Sequence, residues 1–415
     1  MTKLADLLST LFDRRYGRSG VSDVSEGPIR DLTAELMGAK GEITGLSVAR
    51  AVLDRYAGFS DDEKLGFFRH LASDMTLNPD RVRAALDTYE AGETKESYAA
   101  VMIAAEPGRQ ELIRRLNQIP GATGALVKMR ADLLRLGRDE DALMALDLDF
   151  RHLFVSWFNR GFLVLRPINW ESPALILDRI IAYEAVHAIS SWADLRRRVE
   201  PRDRRCFAFF HPAMPDEPLI FVEVALTRGI PGSVQTLLAE DREVLSEEQA
   251  DTAVFYSISN CQAGLASISF GNSLIKQVVA DLSIELPDLA TFVTLSPIPG
   301  FARWTETLNL PGPPEEDDAL RALAARYLVE AKRPDGQPLD PVARFHLGNG
   351  ASVHQIHAGA DTSPKGRAQS FGAMVNYLYD TSRVSQNHER FAASQDVAMS
   401  ADVRKLASAA EKAIA

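Results

Sequence analysis

The sequence has 415 residues and a formal net charge of -11, with 46 Lys plus Arg against 57 Asp plus Glu. This length predicts two or three domains. With 46% apolar and 25% charged residues, the composition is that of a folded protein, which excludes disorder, collagen and coiled coil as descriptions of the whole. The acidic balance argues against nucleic acid as a partner, because binding to phosphate backbones needs a surplus of cations.

The cysteine count and the hydropathy bear on location. Cys206 and Cys261 are the two cysteines, too few for a disulfide framework or a CxxC metal site, which favours a reducing compartment. No apolar run reaches the 18 residues of a membrane span, because the best, residues 219–226, is short and carries Glu223. The first twenty residues predict an amphipathic helix and no targeting signal. We therefore expect a cytoplasmic protein that does not enter a membrane.

Up to about residue 155 the apolar spacing is helical. One predicted helix face consists of residues three and four apart, namely Leu46, Ala49, Leu53 and Tyr56. Ser60 and Glu63 predict a capping box, and Asn78 followed by Pro79 predicts a helix start. These patterns predict an all-helical bundle over residues 1–155.

From about residue 200, β-branched and aromatic residues cluster in short runs bounded by Pro and Gly. The runs Phe207–Phe210, Leu219–Leu226, Val254–Ser259 and Phe292–Leu295 predict strands. Residues 274–286 predict a helix, and residues 146–199 also look helical. Strands that alternate with helices predict an α/β domain with a central sheet over residues 156–415, and hence a two-domain α+β chain.

The first candidate site is the stretch between Tyr256 and Lys276. Here a predicted strand runs into a Gly- and Ser-rich turn and then into a helix that starts near Asn272. Free backbone N–H groups and the positive end of the helix dipole suit such a junction to phosphate. With only Gly264 and Gly271, it matches neither Walker A nor GxGxxG, so a plain tight turn stays open as the alternative.

The second candidate is Ser296, directly after the last predicted strand. Pro297 and Pro299 fix two φ angles and remove two N–H donors, so we expect a rigid loop that does not continue the strand ladder. A serine placed stiffly at a strand end is well placed to meet a ligand, whereas a simple turn initiator is the alternative.

The third candidate is His346, where a strand-like run ends at a Gly-Asn-Gly turn. Its ordinary pKa near neutrality suits it to proton transfer. With His354 and His357 it has a spacing that matches zinc signatures poorly, so we expect no metal.

The Arg-rich residues 196–205 are interpreted as a solvated helix face, with cofactor phosphates as the alternative. Cys261 is interpreted as a buried core residue.

Several motifs, in their order, resemble the malonyl-CoA decarboxylase family. They are SISNCQAGL, FGNSLIKQVV, TLSPIPGFARW, PVARFHLGNGA and MVNYLYD. Upstream, LFVSWFNRGFLVL, EAVH, RRCFAFFHP and EPLIFVEVALT extend the likeness, which covers most of residues 140–380. The order of several long motifs is more specific than any one of them.

The resemblance implies a helical N-terminal domain that assembles dimers and tetramers, followed by a catalytic domain similar to the GNAT acetyltransferases, with a mixed sheet. It implies that the catalytic pair is Ser296 and His346, and that Asn376 and Tyr377 line the substrate pocket. The segment that matches the CoA pyrophosphate site is Ala266, Ser267, Ile268, Ser269, Phe270, Gly271 and Asn272.

The implied reaction converts malonyl-CoA to acetyl-CoA and CO2 without a metal or a cofactor, since coenzyme A belongs to the substrate. His346 follows Ser296 by 50 positions, where animal members have a longer insertion. The resemblance therefore implies a bacterial, cytoplasmic enzyme of fatty-acid metabolism. Phe301 and Trp304 are expected either to wall the pocket or to pack in the core. Two other functions stay open: a GNAT-type acyltransferase and an acyl-CoA sensor without turnover.

Overall fold

The computed structural model describes residues 27–39, 41–268, 274–308, 314 and 316–414. Contacts group the chain into two compact units. The first comprises the residues up to Trp157 together with Gln262–Ile268, and the second comprises Phe158–Cys261 and the chain from residue 269 onwards. The helix predicted over the first twenty residues lies outside the described residues.

Regular structure in the described part of the first unit is helical. It consists of α1 (Ile29–Gly38), α2 (Glu42–Ala57), α3 (Asp61–Asp74), α4 (Pro79–Ala91), α5 (Lys95–Ala104), α6 (Gly108–Leu116), α7 (Ala122–Leu136), α8 (Asp141–Trp157) and the 3-10 turn Ala263–Leu265. The predicted capping box of Ser60 and Glu63 forms at the start of α3. Asn78 caps α4 with Pro79 in the first turn, as predicted.

The short segment Gln262–Ile268 is fastened to α7 within this first unit. Arg130, 1% exposed, donates from Nη1 to the carbonyl oxygens of Gly264 at 2.8 Å and Ala266 at 2.9 Å. Its Nε donates to Asp147 at 2.7 Å, so the buried guanidinium has a charge partner as well as two carbonyl acceptors. A buried charge that is paired and hydrogen-bonded in this way fixes the turn against the helix.

The second unit combines one sheet with helices. In chain order it contains β1 (Val164–Ile168), α9 (Ala174–Tyr183), α10 (Trp192–Val199), β2 (Arg204–Phe210), β3 (Ile220–Thr227), α11 (Val234–Leu238), β4 (Thr252–Asn260), α12 (Leu274–Glu285), β5 (Thr291–Thr294), β6 (Ser296–Pro297), α13 (Phe301–Glu306), α14 (Asp317–Glu330), α15 (Pro341–Gly348), β7 (Ser352–His357), α16 (Pro364–Ser370), β8 (Met374–Leu378), α17 (Val384–Ser394) and α18 (Ala401–Ile414).

The strands form one mixed sheet in the order β1-β2-β3-β4-β5-β8-β6, with β7 paired to β8. Strands β1 to β4 are antiparallel, β4 and β5 are parallel, and β8 is antiparallel to β5, β6 and β7. The four predicted strands fall on β2, β3, β4 and β5. A helical first part followed by a mixed-sheet domain confirms the predicted fold class.

Two predictions about this domain are wrong: that residues 146–199 are helical throughout and that the loop at Ser296 does not continue the ladder. Val164–Ile168, within the stretch that looked helical, is the edge strand β1, where Pro167 is tolerated because an edge strand can do without one ladder donor. The loop at Ser296 does continue the ladder, since Ser296 pairs with Val375 and Pro297 with Met374. Proline lacks an N–H, but the serine N–H and both carbonyls remain available for pairing.

The two faces of the sheet carry different cores. Along β3, Val222 and Val224 join the largest apolar cluster, whereas Phe221 and Ala225 join smaller clusters on the opposite face. This alternation is the period-two pattern of a strand covered on both sides. Among the described residues, no helix has both the length and the apolar character needed to cross a bilayer.

The Arg-rich stretch is only partly solvated, which corrects the prediction. Arg198 and Arg204 are 5% and 4% exposed. Arg198 lies 3.4 Å from the carboxylate of Glu223, which is fully buried on β3. Burial raises the pKa of Glu223 to about 8. Charge density in the sequence therefore did not separate arginines that face solvent from those that hydrogen-bond to buried groups.

The close approach of Gly264 to α7 leads to a stability prediction. A Cβ built at Gly264 would lie 1.8 Å from the carbonyl oxygen of Val127. Gly264→Ala should therefore lower the free energy of unfolding by roughly 2 kcal/mol or more, because overpacking forces the backbone apart. Urea unfolding followed by circular dichroism measures this.

Gly92→Ala is the matched control, because Gly92 has extended backbone and nothing within 4 Å of its added Cβ. Equal unfolding midpoints for Gly264→Ala and the unmodified protein would contradict the packing described here.

Candidate active site

Ser296 and His346, fifty residues apart in sequence, meet in the second unit. Ser296 lies on β6 and His346 on α15. The distance between Ser296 Oγ and His346 Nε2 is 3.1 Å, and the two residues are 5% and 3% exposed. The predicted strand ending at His346 is wrong, because Asp340 and Pro341 form an N-cap and first-turn proline that start a helix.

A hydrogen-bond chain orients the pair. Ser296 Oγ donates to Thr294 Oγ1 at 2.8 Å, and the hydroxyl of Tyr379 lies 2.8 Å from His346 Nδ1. Because the serine proton goes to Thr294, Ser296 Oγ accepts from His346 Nε2–H, and Nδ1 accepts from Tyr379. This network assigns the neutral tautomer that carries its proton on Nε2.

Burial keeps the imidazole neutral. The pKa of His346 is lowered to about 3 by its removal from water, because an apolar environment disfavours the charged form. Burial likewise raises the pKa of the Tyr379 phenol far above its usual value. At neutral pH the chain of Thr294, Ser296, His346 and Tyr379 therefore consists of uncharged groups.

Asn376 and Tyr377 support this chain from β8. Tyr377 stacks on the His346 ring with centroids 4.5 Å apart and planes at 22°. Its backbone N–H donates to Thr294 Oγ1 at 3.0 Å. The Asn376 amide donates to the carbonyl of Thr294 at 2.7 Å. Both side chains are fully buried, and neither is among the residues that line the cavity beside the pair. Asn376 also contacts His357 through its Oδ1.

A cavity of about 260 Å³ opens onto both Ser296 and His346. Its other lining is mostly apolar and includes Val186, Phe255, Ile258, Pro297, Val342 and Phe345. The two polar side chains thus face a small space with apolar walls, where an electrostatic interaction is stronger than in water.

One wall of the cavity is fixed by a carboxylate. Glu184 Oε1 accepts the backbone N–H groups of Val186 and His187, each at 2.8 Å. Both of its oxygens also accept from Ser257 of β4 at 2.8 Å. These bonds tie the segment that carries Val186 to the strand beside it.

Other expected residues lie elsewhere. Phe301 is fully buried and packs against Trp304 and Tyr327, and neither Phe301 nor Trp304 lines this cavity. Within the described part of the chain, no three His, Cys, Asp or Glu side chains are grouped closely enough to hold a metal ion. Cys261 is buried, as predicted, and burial raises its thiol pKa well above the usual value.

The expected CoA segment is described only in part. Ala266, Ser267 and Ile268 belong to the first unit, whereas Ser269, Phe270, Gly271 and Asn272 lie outside the described residues. Ser267 has φ of 62°, a left-handed conformation that is uncommon for serine. The turn that ends at Ile268 therefore has an unusual backbone.

Sequence reasoning missed Thr294 and Tyr379. Tyr379 lies within the MVNYLYD motif, two residues after Tyr377, so both tyrosines project to the same side of an extended segment. That period-two spacing was the available signal. Thr294 lies two residues before Ser296, so the same spacing was available there, whereas its bond to the Tyr377 N–H depends on how β8 pairs with β5 and β6.

Comparisons with known proteins agree with one another. Residues 161–312 and 313–415 match the malonyl-CoA decarboxylase C-terminal domain, and residues 76–158 match the N-terminal domain of the same family. The chain is 35% identical over 349 residues to the mitochondrial malonyl-CoA decarboxylase of Anser anser anser, covering 72% of this chain and 69% of the goose protein.

Solved structures are also similar. A malonyl-CoA decarboxylase from Rhodopseudomonas palustris is 46% identical with a TM-score of 0.86, covering 91% of this chain and 98% of the other. One from Agrobacterium vitis is 46% identical with a TM-score of 0.85, covering 91% and 99%. The resemblance found in the motifs is thereby confirmed. The chain belongs to the malonyl-CoA decarboxylase family, a family of carboxy-lyases.

Proposed function

We propose that the chain converts malonyl-CoA to acetyl-CoA and CO2, with Ser296 and His346 as its catalytic residues. One observation carries the proposal: the hydroxyl of Ser296 and the imidazole of His346 share a hydrogen bond at the wall of an apolar cavity. The membership of the chain in a decarboxylase family supports this substrate for that cavity.

The reaction has two demands. The bond between the carboxylate carbon and the α-carbon breaks, CO2 leaves, and the electron pair passes into the thioester carbonyl to give an enolate. The α-carbon must then gain one proton. Because the thioester itself accepts the electron pair, we propose that no metal or prosthetic group takes part.

Ser296 is the proposed proton donor. The enolate carbon is a stronger base than an alkoxide, so a neutral hydroxyl can protonate it. In this step the Ser296 proton moves from Oγ to the α-carbon, and water then returns a proton to Oγ. In the resting site that hydroxyl bonds to Thr294, so it must turn toward the substrate when the cavity is occupied.

His346 is the proposed charge stabiliser. With a pKa of about 3 the ring is not an imidazolium at neutral pH and so is not an acid in the usual sense. Its Nε2–H, directed at Ser296 Oγ, stabilises the negative charge that remains on that oxygen after proton transfer. A preorganised donor of this kind contributes on the order of 10² to 10³ in rate.

The walls support the same reaction. Loss of CO2 turns a charged carboxylate into a neutral molecule, and water stabilises the charged ground state most. Walls such as Phe255, Ile258 and Val342 limit that hydration.

For the CoA pyrophosphate we keep residues 266–272 as the proposed site. Arg130 occupies the carbonyls of Gly264 and Ala266, which would otherwise repel an anion. Self-association and a cytoplasmic location stay predictions.

The activity can be tested with malonyl-CoA and no acceptor. The purified protein should release CO2 and form acetyl-CoA in equal amounts, because decarboxylation needs no second substrate. Isotope-labelled malonyl-CoA and chromatography of the thioesters measure both products. If turnover instead requires an amine and gives an acylated amine, the protein is an acyltransferase and the proposal fails.

Substitution of the pair tests the assigned roles. Ser296→Ala and His346→Asn should each lower kcat for malonyl-CoA by at least about 10², because each removes a group that acts in the transition state. Ser382→Ala and His354→Asn are matched controls outside the cavity lining, and they should retain activity. A variant of the pair that decarboxylates at the rate of the unmodified protein would refute the role given to that residue.

The lowered pKa of His346 predicts how stability depends on pH. An unfolded histidine takes up a proton near pH 6.5, whereas the folded ring does so only near pH 3. Folding is therefore favoured above pH 6.5, and that contribution is lost progressively as the pH falls from 6.5 toward 3.

Between pH 6 and pH 5, the unfolding free energy of His346→Asn should fall less steeply than that of the unmodified protein, by the equivalent of about one proton. Urea titrations at several pH values measure both slopes. His187, whose pKa burial lowers to about 4, is common to both proteins and cancels. Identical slopes would mean that His346 titrates normally in the folded state.

A further inference from the structure

A buried carboxylate joins the serine segment to the histidine helix. Asp340 is 1% exposed. Its Oδ1 accepts the N–H groups of Val342 and Ala343, both at 2.9 Å, and so caps α15. Its Oδ2 accepts the N–H of Gly300 at 3.4 Å and the hydroxyl of Tyr327 at 3.4 Å. The carboxylate therefore contacts three separate segments.

The chain on either side of these contacts is stiff. Between Ser296 and Gly300 lie Pro297 and Pro299, each of which fixes its own φ angle and restricts the residue before it. The position of Gly300 therefore restrains Ser296, in addition to the pairing of Ser296 with Val375 of β8. On the other side, Asp340 caps the helix that carries His346, six residues later. A single carboxyl group thus contacts both the segment that follows Ser296 and the helix that carries His346.

Tyr327 closes the arrangement from α14. It is 1% exposed and packs on Trp304, with ring centroids 5.2 Å apart. A Cβ at Gly300 would lie 2.1 Å from its hydroxyl oxygen and 3.7 Å from Asp340 Oδ2. The Gly300 backbone approaches the other two groups so closely that only glycine fits there.

We propose that Asp340, Gly300 and Tyr327, which we call the Asp340 clamp, position Ser296 against His346 for proton transfer. The inference rests on the proposed function and deepens it. Neither Asp340 nor Tyr327 lines the cavity, so both are positioning residues that act through the serine segment and the helix.

The clamp is built on a buried carboxyl group. Burial raises the pKa of Asp340, although backbone N–H groups oppose the shift. An uncharged cap such as asparagine would satisfy the helix start equally well. Asparagine does not supply a second oxygen to accept the Gly300 N–H. The Asp340→Asn change therefore removes the contact with the serine segment and keeps the helix cap.

Asp340→Asn tests that role. The amide oxygen still caps Val342 and Ala343, the Tyr327 hydroxyl can turn to accept, and only Gly300 loses its acceptor. We expect kcat for malonyl-CoA to fall at least about tenfold with KM changed less than about threefold, because misplacement of a reacting group affects the chemical step. Thermal unfolding should shift down by no more than a few degrees, because one buried N–H loses its acceptor while the other bonds remain. Asp335→Asn, at an exposed turn in the same segment, is the control and should match the unmodified protein.

A kcat within about twofold of the unmodified protein would overturn the proposal. So would a loss of activity that equals the loss of folded protein, measured by circular dichroism. If the unmodified protein itself releases no CO2, the proposed function fails first. Because the Asp340 variant is compared with measured decarboxylation by the unmodified protein, failure of the clamp can be distinguished from failure of the proposed function.

A second pair of variants keeps the test open if Asp340→Asn does not fold. Gly300→Ala should lower kcat, because its Cβ meets the Tyr327 hydroxyl and displaces the serine segment. Adding Tyr327→Phe removes that hydroxyl, and the double variant should recover a large part of the lost kcat. Equal kcat for the single and double variants would contradict the clamp, because independent sites show no rescue.

Discussion

The hydrogen bond between Ser296 and His346 joins a strand end to a helix that follows fifty residues later, and the surrounding structure is arranged to preserve it. Thr294 accepts a hydrogen bond from the serine hydroxyl, Tyr377 of β8 stacks on the face of the imidazole, and Tyr379, directly after β8, brings its hydroxyl to Nδ1. These tyrosines reach one ring because alternate residues of an extended segment project to the same side. The pairing of β8 with both β5 and β6 is therefore as important to the site as the pair itself.

The same geometry distinguishes this site from that of a hydrolase. A nucleophilic serine must give its proton to an adjacent base, and that base needs an orienting partner that stabilises its charged form. Here Ser296 donates to Thr294 and accepts from the imidazole, and the partner of His346 Nδ1 is a neutral phenol with a raised pKa. The surroundings favour an imidazole without charge and a serine that keeps its proton, which suits protonation of an enolate rather than attack on a thioester.

Local sequence signals predicted the helices of the first unit and the four central strands, and the family motifs led to Ser296 and His346, which the fold brings within 3.1 Å of each other. They failed where local and long-range effects compete. The segment before His346 looked like a strand, yet Asp340 and Pro341 start a helix there. Arg198 looked solvated because its neighbours are charged, but its partner Glu223 lies in a strand that the sequence places 25 residues away. The bond from the Tyr377 N–H to Thr294 depends on strand pairing, which spacing along the chain does not reveal.

The cavity itself follows from the unequal lengths of two parallel strands. β4 and β5 pair from Thr252 to Phe255, after which β4 continues to Asn260 while β5 ends at Thr294. The chain from Val293 to Pro297 stays paired with β8 in one register, with Val293 opposite Leu378 and Ser296 opposite Val375. Two strands that separate in this way leave a gap that neither can fill, and apolar side chains from β4 and α15 cover it. Had β4 stayed paired with the chain as far as Ser296, this serine would lie against β4, and the space that the proposed substrate needs would be closed.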